Sequence, residues 1–225
     1  MSLNCGIVGL PNVGKSTLFS ALTAQQVPME NYPFCTIEPN RGIVEVPDTR
    51  LDRLEEIYKT GNVIPAIVEF VDIAGLVRGA SRGEGLGNRF LAHIREVGLI
   101  IHIVRCFEEE DVSHVSGELN PVSDMEVVNL ELALADLETV ENRIEKNDRY
   151  LRSSDKKVSS RAAAFAPVLE TLRKTLADGH PVRSLGVQHE EMAEMHLITA
   201  KPVLYVGNVD EDDIDGESEL FKRVA

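Results

Sequence analysis

The stretch GLPNVGKS at residues 9–16 decides the fold of this chain. It follows the pattern G-x-x-x-x-G-K-S, and it lies between a β-branched run at residues 3–9 and a helical pattern at residues 15–24. In such a loop the glycines let backbone N–H groups surround phosphate oxygens, and the helix that follows points its positive dipole end at the same place. The stretch therefore predicts a phosphate-binding loop (P-loop) between a strand and a helix.

The segments around this loop alternate between strand and helix patterns. Further β-branched runs are predicted to be strands of the same sheet at residues 42–46, 66–72, 99–105 and 202–208. Helical spacing occurs at residues 50–59 and 88–97. A strand-then-helix order is typical of α/β proteins, so we expect a mainly parallel sheet flanked by helices.

The apolar pattern changes after Ser123. A first helical stripe is formed by Val127, Leu130, Leu134, Leu137, Ile144 and Leu151. A second stripe is formed by Ala162, Phe165, Leu169, Leu172 and Leu176. Because a short polar break at residues 153–155 separates them, they predict an antiparallel helical hairpin. A strand follows the hairpin, so we expect an α/β domain at residues 1–122, a helical insertion at 123–198 and a return to the α/β domain at 199–225.

Composition excludes several classes of protein. The 225 residues include 43 % hydrophobic and 27 % charged side chains, and 23 Lys and Arg against 37 Asp and Glu give a net charge of −14. These values are typical of globular proteins and argue against whole-surface attraction to nucleic acid or anionic lipid, although they leave a local basic patch open. No apolar run reaches the ~18 residues of a membrane helix, and no signal peptide is recognisable. We expect a cytoplasmic protein with no membrane partner and no sequence-specific DNA recognition. Three isolated cysteines form neither a disulfide framework nor a zinc site.

The P-loop pattern assigns roles to its own residues. Lys15 can reach the β and γ phosphates of a nucleotide, and the Ser16 hydroxyl can bind Mg²⁺. The predicted nucleotide-binding residues of the loop are Asn12, Val13, Gly14, Lys15, Ser16 and Thr17.

Two further segments complete this prediction. Asp72 follows an apolar run and can orient the Mg²⁺ shell, while the Gly75 N–H can face the γ-phosphate. Thr36 is the candidate hydroxyl that senses the γ-phosphate through the metal. The alternatives are a strand that merely ends in a turn at residues 72–75 and an ordinary loop threonine.

Longer motifs carry a resemblance to a family. The segments at residues 31–40 (NYPFCTIEPN), 72–80 (DIAGLVRGA) and 83–88 (GEGLGN) resemble the Obg-related P-loop NTPases. With residues 102–107 (HIVRCF) and 114–117 (HVSG), they resemble one subgroup, the YchF or Obg-like ATPases. The resemblance implies a G-domain interrupted by a coiled coil, Mg²⁺-dependent hydrolysis of ATP to ADP and phosphate, and a nucleotide-dependent switch. It also implies association with the ribosome, as large subunit or 70S particle, in translation and stress responses.

The family pattern continues further than this sequence. Its members go on into the closing part of the G-domain, which carries the last nucleotide-loop motif, and then into a β-rich TGS domain. Since the sequence ends at Ala225, we expect it to lack both.

The base-reading motif departs from that of GTPases. GTPases read guanine with N-K-x-D, whereas this chain has Asn208, Val209, Asp210 and Glu211. Val209 replaces the lysine, and Glu211 is one methylene longer than the aspartate that accepts from guanine. The resemblance agrees, because Obg-like ATPases carry N-x-x-E and prefer ATP. A GTPase with a degenerate base motif remains the rival enzyme, and a nucleotide-gated binding module with incidental hydrolysis is the rival from another class.

The water-positioning group and a second cation are implied by resemblance. Leu76 occupies the place where Ras-like enzymes carry a glutamine, and it cannot hydrogen-bond water. The resemblance indicates His114 for that role, with an ordinary loop histidine as the alternative. Asn12 resembles the asparagine that holds K⁺ beside the phosphates in some relatives, with a plain turn residue as the alternative.

The break between the two predicted helices is basic. Residues 143–161 contain seven Lys or Arg and three Asp or Glu, a local charge of +4 in an acidic chain. Phosphate contacts supply most sequence-independent affinity for RNA, so this tip is a candidate contact for ribosomal RNA. A solvated helical face is the equally weighted alternative.

Overall fold

The computed structural model describes residues 3–23, 40–73, 86–108, 119–186 and 189–224. Within these ranges one sheet contains β1 (Leu3–Val8), β2 (Arg41–Glu45), β3 (Ile67–Asp72), β4 (Leu99–Arg105) and β5 (Val203–Asn208). The strand order is β2-β3-β1-β4-β5, with β2 antiparallel to β3 and the other pairs parallel. The predicted α/β fold with a mainly parallel sheet is confirmed, and each strand lies within one residue of its predicted bounds.

Helices occupy the connections between the strands. The long ones are α1 (Lys15–Thr23), α2 (Thr49–Tyr58), α3 (Leu86–Glu96), α4 (Pro121–Leu151) and α5 (Lys156–Ala177), and the short ones are α6 (Glu190–Ala193) and α7 (Glu219–Lys222). Several begin at a capping side chain: Asp48 accepts from the Arg50 N–H, and Asp155 accepts from the Lys157 N–H. Such caps satisfy N–H groups that the first helical turn leaves unpaired.

The helix α4 begins two residues earlier than the apolar stripe predicts. Asn120 caps it by accepting from the Ser123 N–H, and Pro121 occupies the first turn, where its missing N–H costs nothing. In α5, each residue of the predicted stripe is buried.

The predicted stripe of α4 is partly wrong. Leu130 is 47 % exposed, while Val128 and Leu132, two positions away on either side, are buried. The predicted apolar positions of α4 differ from the buried positions because the helix packs on two different partners along its length. Its first half contributes Val128, Leu132 and Ala135 to the core of the sheet, and its second half contributes Val140 to a second core that includes Phe165 of α5.

The two long helices form an antiparallel hairpin. Near its tip the Asn147 amide nitrogen donates to the Ala162 carbonyl over 3.0 Å, and at its base a Cβ on Gly179 would lie 3.7 Å from Leu130. The hairpin lies in the chain between β4 and β5, two neighbours in the same sheet. The first half of α4 shares the core of the sheet, so packing alone does not separate the hairpin from the α/β domain. The domain boundaries at 1–122, 123–198 and 199–225 stay a prediction.

A polar network joins the base of the hairpin to α3. Lys201 Nζ donates to the last carbonyls of α3, at 2.8 Å to Ile94 and 2.6 Å to Arg95, and also to Val97. Arg95 donates to Thr139 of α4 over 2.9 Å. The bond between Arg95 and Thr139 fixes the C-terminal end of α3 against α4. The ammonium group of Lys201 lies at the negative end of the α3 dipole, where a cation is stabilising.

Asp136 of α4 anchors the chain that returns to the sheet. Its carboxylate is buried and accepts from the backbone N–H groups of Ile198 at 2.9 Å and Thr199 at 2.7 Å. Burial raises the pKa of Asp136, while these hydrogen bonds act in the opposite direction.

Among the helices in the described ranges, none has both the length and the apolar composition of a membrane span.

Candidate nucleotide-binding site

The parallel register brings three parts of the site to one edge of the sheet. The strands β1, β3, β4 and β5 run in the same direction, so their carboxyl ends meet there. The P-loop follows β1, Asp72 ends β3 and Asn208 ends β5. Ligands of α/β proteins bind outside the carboxyl ends of such strands.

Two glycines of the P-loop cannot carry a side chain. A Cβ on Gly9 would lie 2.5 Å from the Ile103 carbonyl oxygen, and Gly14 has φ +95° with Asn208 Nδ2 against the place of its missing Cβ. Asn12 adopts φ +62°, a left-handed conformation that asparagine tolerates better than most residues. The glycine pattern therefore serves both the tight turn and the close approach of neighbouring strands.

Lys15 is held beneath the loop. The residue is 8 % exposed, and its Nζ donates to the Leu10 carbonyl over 2.6 Å. Burial lowers the pKa of Lys15, and the charge of Asp72 partly opposes this effect. A desolvated ammonium group favours an anion close to it.

Ser16 and Asp72 lie together although 56 residues separate them in sequence. The Ser16 hydroxyl donates to Asp72 Oδ2 over 3.0 Å. The other carboxylate oxygen, Asp72 Oδ1, is buried and has no hydrogen-bond partner among the described residues. Hydroxyl and carboxylate oxygens are the ligands that Mg²⁺ prefers, so the orphaned oxygen fits a divalent cation.

The described residues do not contain a complete metal cage. In these ranges no group of three or more His, Cys, Asp or Glu side chains is placed to hold a metal ion. A cation beside Ser16 and Asp72 therefore needs further oxygen ligands, which nucleotide phosphates and water supply in P-loop proteins.

Asn208 contacts the P-loop directly. Its side-chain nitrogen donates to the Val13 carbonyl over 3.0 Å, which joins the end of β5 to the loop after β1. Sequence reasoning predicted Asn208 as a base-binding residue and missed this contact with the loop. Asn208 and Val13 are 195 residues apart in the sequence, so no local pattern indicated that they are in contact.

A cavity of about 340 Å³ opens beside this contact. Most of its lining is apolar or backbone, and it is formed by Gly14, Thr17, Leu18, Ala21, Ile103, Val206, Gly207, Asn208 and Val209. Glu211 is exposed and belongs to a short 3-10 helix, Glu211–Asp213, which Asp210 caps. Of the predicted base-reading residues, the structure thus brings Asn208 and Val209 to the cavity and leaves Glu211 outside its lining.

A buried histidine lies behind the site. His102 of β4 is 2 % exposed, and its ring centroid lies 5.3 Å from that of Tyr205. Burial, and then the charges of Arg183 and Lys15, lower the pKa of His102 to about 4. Sequence reasoning treated this histidine only as part of a family motif, because its burial depends on packing by α4 and β5.

Three predicted site residues lie outside the described ranges. They are Thr36, Gly75 and His114. Their roles stay predictions.

Comparison with known proteins comes from sequence and from structure. A family model described as "50S ribosome-binding GTPase" matches residues 4–208. The chain is 49 % identical over 217 residues to the "Ribosome-binding ATPase YchF" of Bacillus subtilis, covering 95 % of this chain and 58 % of that protein. It is 50 % identical over 223 residues to the protein of the same name from Escherichia coli O157:H7, covering 98 % and 60 %.

A solved structure agrees with these matches. The Schizosaccharomyces pombe "YchF GTPase" superposes with a TM-score of 0.81 at 36 % identity, covering 99 % of this chain and 61 % of that one. The chain thus spans about three fifths of the length of the YchF proteins it matches. The similarity to the YchF subgroup is confirmed, and the chain belongs to the P-loop family described as 50S ribosome-binding GTPases.

Proposed function

We propose that this protein is a Mg²⁺-dependent P-loop ATPase that hydrolyses ATP to ADP and phosphate. The observation that carries the proposal is the arrangement at the edge of the sheet. Lys15 is desolvated under the loop, and the Ser16 hydroxyl lies 3.0 Å from Asp72, whose second oxygen is buried without a partner in the described part of the chain. The names of the relatives, which cover a longer protein, support the same activity.

Each residue has a defined task in this proposal. Lys15 binds the β and γ phosphates, and Ser16, Asp72 and Thr36 hold Mg²⁺, which neutralises charge on the phosphate oxygens when bound. The Gly75 N–H faces the γ-phosphate. His114 orients the water that attacks phosphorus, a role that Leu76 cannot perform.

The apolar cavity favours adenine over guanine. Guanine needs a well-placed carboxylate for its N1–H and N2–H₂ groups, and a site without that carboxylate leaves these donors unpaired. Val209 lines the cavity where a GTPase carries lysine, and Glu211 is exposed outside it. The preference for ATP should be modest, because an apolar slot rejects guanine only weakly.

The base assignment is tested by dissociation constants for non-hydrolysable ATP and GTP analogues. The unmodified chain should bind the ATP analogue more tightly, and Val209→Lys combined with Glu211→Asp should shift the preference toward GTP. Tighter GTP binding by the unmodified chain would overturn the ATPase assignment. It would favour the GTPase alternative, because the matching family and the fission yeast protein are both described as GTPases.

A potassium ion is a further proposed ligand of the P-loop. Asn12 lies at the turn of the loop with φ +62° and an exposed side chain, so it can face the phosphates of a bound nucleotide. Hydrolysis should then be faster in KCl than in NaCl at equal ionic strength. Equal rates in the two salts would exclude a role for K⁺.

The proposed partner is the ribosome, contacted through ribosomal RNA in the cytoplasm. The names of the relatives support the ribosome as the partner, and the basic tip of the hairpin supports a contact with RNA. The exposed cations of the tip are Arg149, Arg152, Lys156 and Lys157. Arg143 and Arg161 are instead paired with Glu191, so they contribute less to the free charge of the tip.

Reversal of the four exposed charges to Glu tests this contact. Cosedimentation with large subunits and 70S particles should fall, and the salt dependence of binding should weaken, without a change in basal hydrolysis. An unchanged salt slope would mean that the tip is only a solvated face.

A variant that binds ATP without hydrolysing it separates a hydrolytic switch from a nucleotide-gated binding module, because only the switch should fail to release its partner.

A further inference from the structure

The ring of Phe221 lies between two glycines. Phe221 belongs to α7, and a Cβ on Gly207 would lie 2.7 Å from its ring carbon Cδ2. A Cβ on Gly216 would lie 2.7 Å from Cε1, on the opposite edge of the ring. A carbon at either place would overlap the ring, so neither position accepts a side chain while the ring stays there. The aromatic ring thus attaches the short helix α7 to the end of β5.

The strand β5 lies between this ring and the apolar cavity. Successive side chains of a strand point to opposite faces of the sheet. On one face the paired residues Ile103 and Val206 line the cavity. On the other face the place of the missing Gly207 side chain lies against Phe221 and 3.3 Å from Cys106 Sγ. Phe221 therefore supports the cavity from behind, through the backbone of β5.

Hydrogen bonds tie the segment between β5 and α7 to itself. Asp213 Oδ1 accepts from the N–H groups of Glu217 and Ser218, each at 2.9 Å. The Ser218 hydroxyl in turn caps α7 by accepting from the Phe221 N–H over 3.2 Å. Residues 208–221 thus form a loop whose two ends meet where the aromatic ring contacts the end of β5.

The base-reading residues stand at the start of this loop. Asn208 and Val209 line the apolar cavity, and Glu211 lies outside its lining. Their conformation is limited by β5 on one side and by the Phe221 contact at the far end of the loop. We propose that Phe221 is a positioning residue for the nucleotide base, which holds the loop so that Val209 faces the cavity and Glu211 stays outside it. This inference rests on the proposed function of the cavity as the adenine site.

The first test compares dissociation constants for non-hydrolysable ATP and GTP analogues in Phe221→Ala and in the unmodified chain. Without the ring the loop samples further conformations. If the competent one is populated about a tenth of the time, the constant for the ATP analogue rises about tenfold. The constant for the GTP analogue should rise less, because a freed Glu211 can approach the base and accept from guanine. The preference for ATP should therefore shrink.

Two further measurements separate positioning from packing. Phe221→Leu, which fills part of the same space, should recover most of the affinity and most of the preference. In steady-state hydrolysis of ATP by Phe221→Ala, KM should rise by the same factor as the dissociation constant while kcat changes less, since the phosphate-binding residues keep their places. A fall in kcat with an unchanged KM would overturn the proposal.

Leu185→Ala is the matched control. Leu185 is a half-buried apolar residue that packs against the core containing Phe165. Its replacement should lower the midpoint of thermal unfolding and leave both nucleotide constants unchanged. If Phe221→Ala likewise lowers only the midpoint, or weakens both analogues by one common factor, Phe221 is a packing residue and the proposal is overturned.

Gly207→Ala tests the same contact from the strand. Its Cβ would overlap the ring of Phe221, so this variant alone should reproduce the loss of ATP preference. When it is combined with Phe221→Ala the overlap is gone, so the double variant should bind the ATP analogue no more weakly than Phe221→Ala does. Multiplied losses would show that the two residues act independently and would overturn the proposal. If Gly207→Ala does not fold, as circular dichroism will show, Phe221→Ala and Phe221→Leu still decide the question.

The failure of this inference differs from the failure of the proposed function. If the unmodified chain prefers the GTP analogue, the ATPase assignment fails, while a changed preference in Phe221→Ala still supports the positioning role. If neither analogue binds, hydrogen exchange decides. The Cys106 N–H donates to the Asn208 carbonyl over 2.7 Å, and it should exchange faster in Phe221→Ala than in Leu185→Ala. Equal exchange in these two variants would overturn the proposal.

Discussion

Asn208 Nδ2 donates to the Val13 carbonyl over 3.0 Å, and it occupies the space that a side chain on Gly14 would need. The last strand of the described sheet is therefore joined to the P-loop by one side-chain amide. The same residue lines the apolar cavity, so the proposed base site and the proposed phosphate site both contact this one side chain.

Replacing this amide should weaken nucleotide binding. Asn208→Ala removes a hydrogen bond worth about 1 kcal/mol, so the dissociation constant for an ATP analogue should rise about fivefold. Asn129→Ala is the control, since it removes a 3.1 Å bond to Tyr205 on the same strand away from the loop. It should lower the midpoint of thermal unfolding and leave nucleotide affinity unchanged. Equal loss of affinity in both variants would assign the effect to the strand and not to the loop.

Ser16→Ala should abolish turnover and the Mg²⁺-dependent part of nucleotide affinity. The hydroxyl lies 3.0 Å from Asp72 and is a metal ligand in this motif. Phosphate release and affinity with and without Mg²⁺ measure the effect, and Ser20→Ala, an exposed position of the same helix, is the matched control. Hydrolysis at the unmodified rate in Ser16→Ala would remove the P-loop argument.

His114→Ala should lower kcat and leave affinity for ATP nearly unchanged. A group that orients water contributes in the transition state and little in the ground state. Single-turnover hydrolysis and equilibrium binding of an analogue separate these two quantities. A parallel loss of affinity and kcat would instead indicate that His114 supports the structure of the site.

His102 should make the protein less stable in mild acid. Its pKa is about 4 in the folded chain, below the ordinary 6.5, so the unfolded chain binds more protons between these values. The contribution of His102 to the free energy of unfolding is complete above pH 6.5 and is lost as the pH falls toward 4. Between pH 7 and pH 5 the loss is about 2 kcal/mol. Urea unfolding at the two pH values measures it.

The matched variants for this prediction are His102→Gln and His180→Gln. The first should reduce the difference in unfolding free energy between pH 7 and pH 5. The second replaces an exposed histidine and should leave the difference as it is. An unchanged difference in His102→Gln would show that carboxylates alone cause the acid sensitivity.

The strands and the P-loop could be predicted because their signals are local. β-branched runs fix each strand to within a residue, and the GKS pattern states both the turn and the helix that follows. The α5 stripe was also predictable, since four of its residues, from Phe165 to Leu176, lie in one core.

Features that depend on distant parts of the chain were not predictable. The contact between Asn208 and Val13, the burial of His102, and the unsatisfied oxygen of Asn147 all arise from tertiary packing. The α4 stripe misassigned Leu130 for the same reason, because the helix changes partners midway and no single helical period describes both faces.

The division of α4 between two cores has a mechanical consequence. The helix is rooted in the sheet as far as Ala135 and continues without a break to Leu151, a projection of about 24 Å. Arg95 of α3 donates to Thr139 of α4 and so joins the two helices near this root. A tilt of about 10° at the root would carry the basic tip through about 4 Å over this length. Any change in packing at the root of α4 would therefore be magnified at the tip, and the sheet that holds this root also carries the P-loop at its edge.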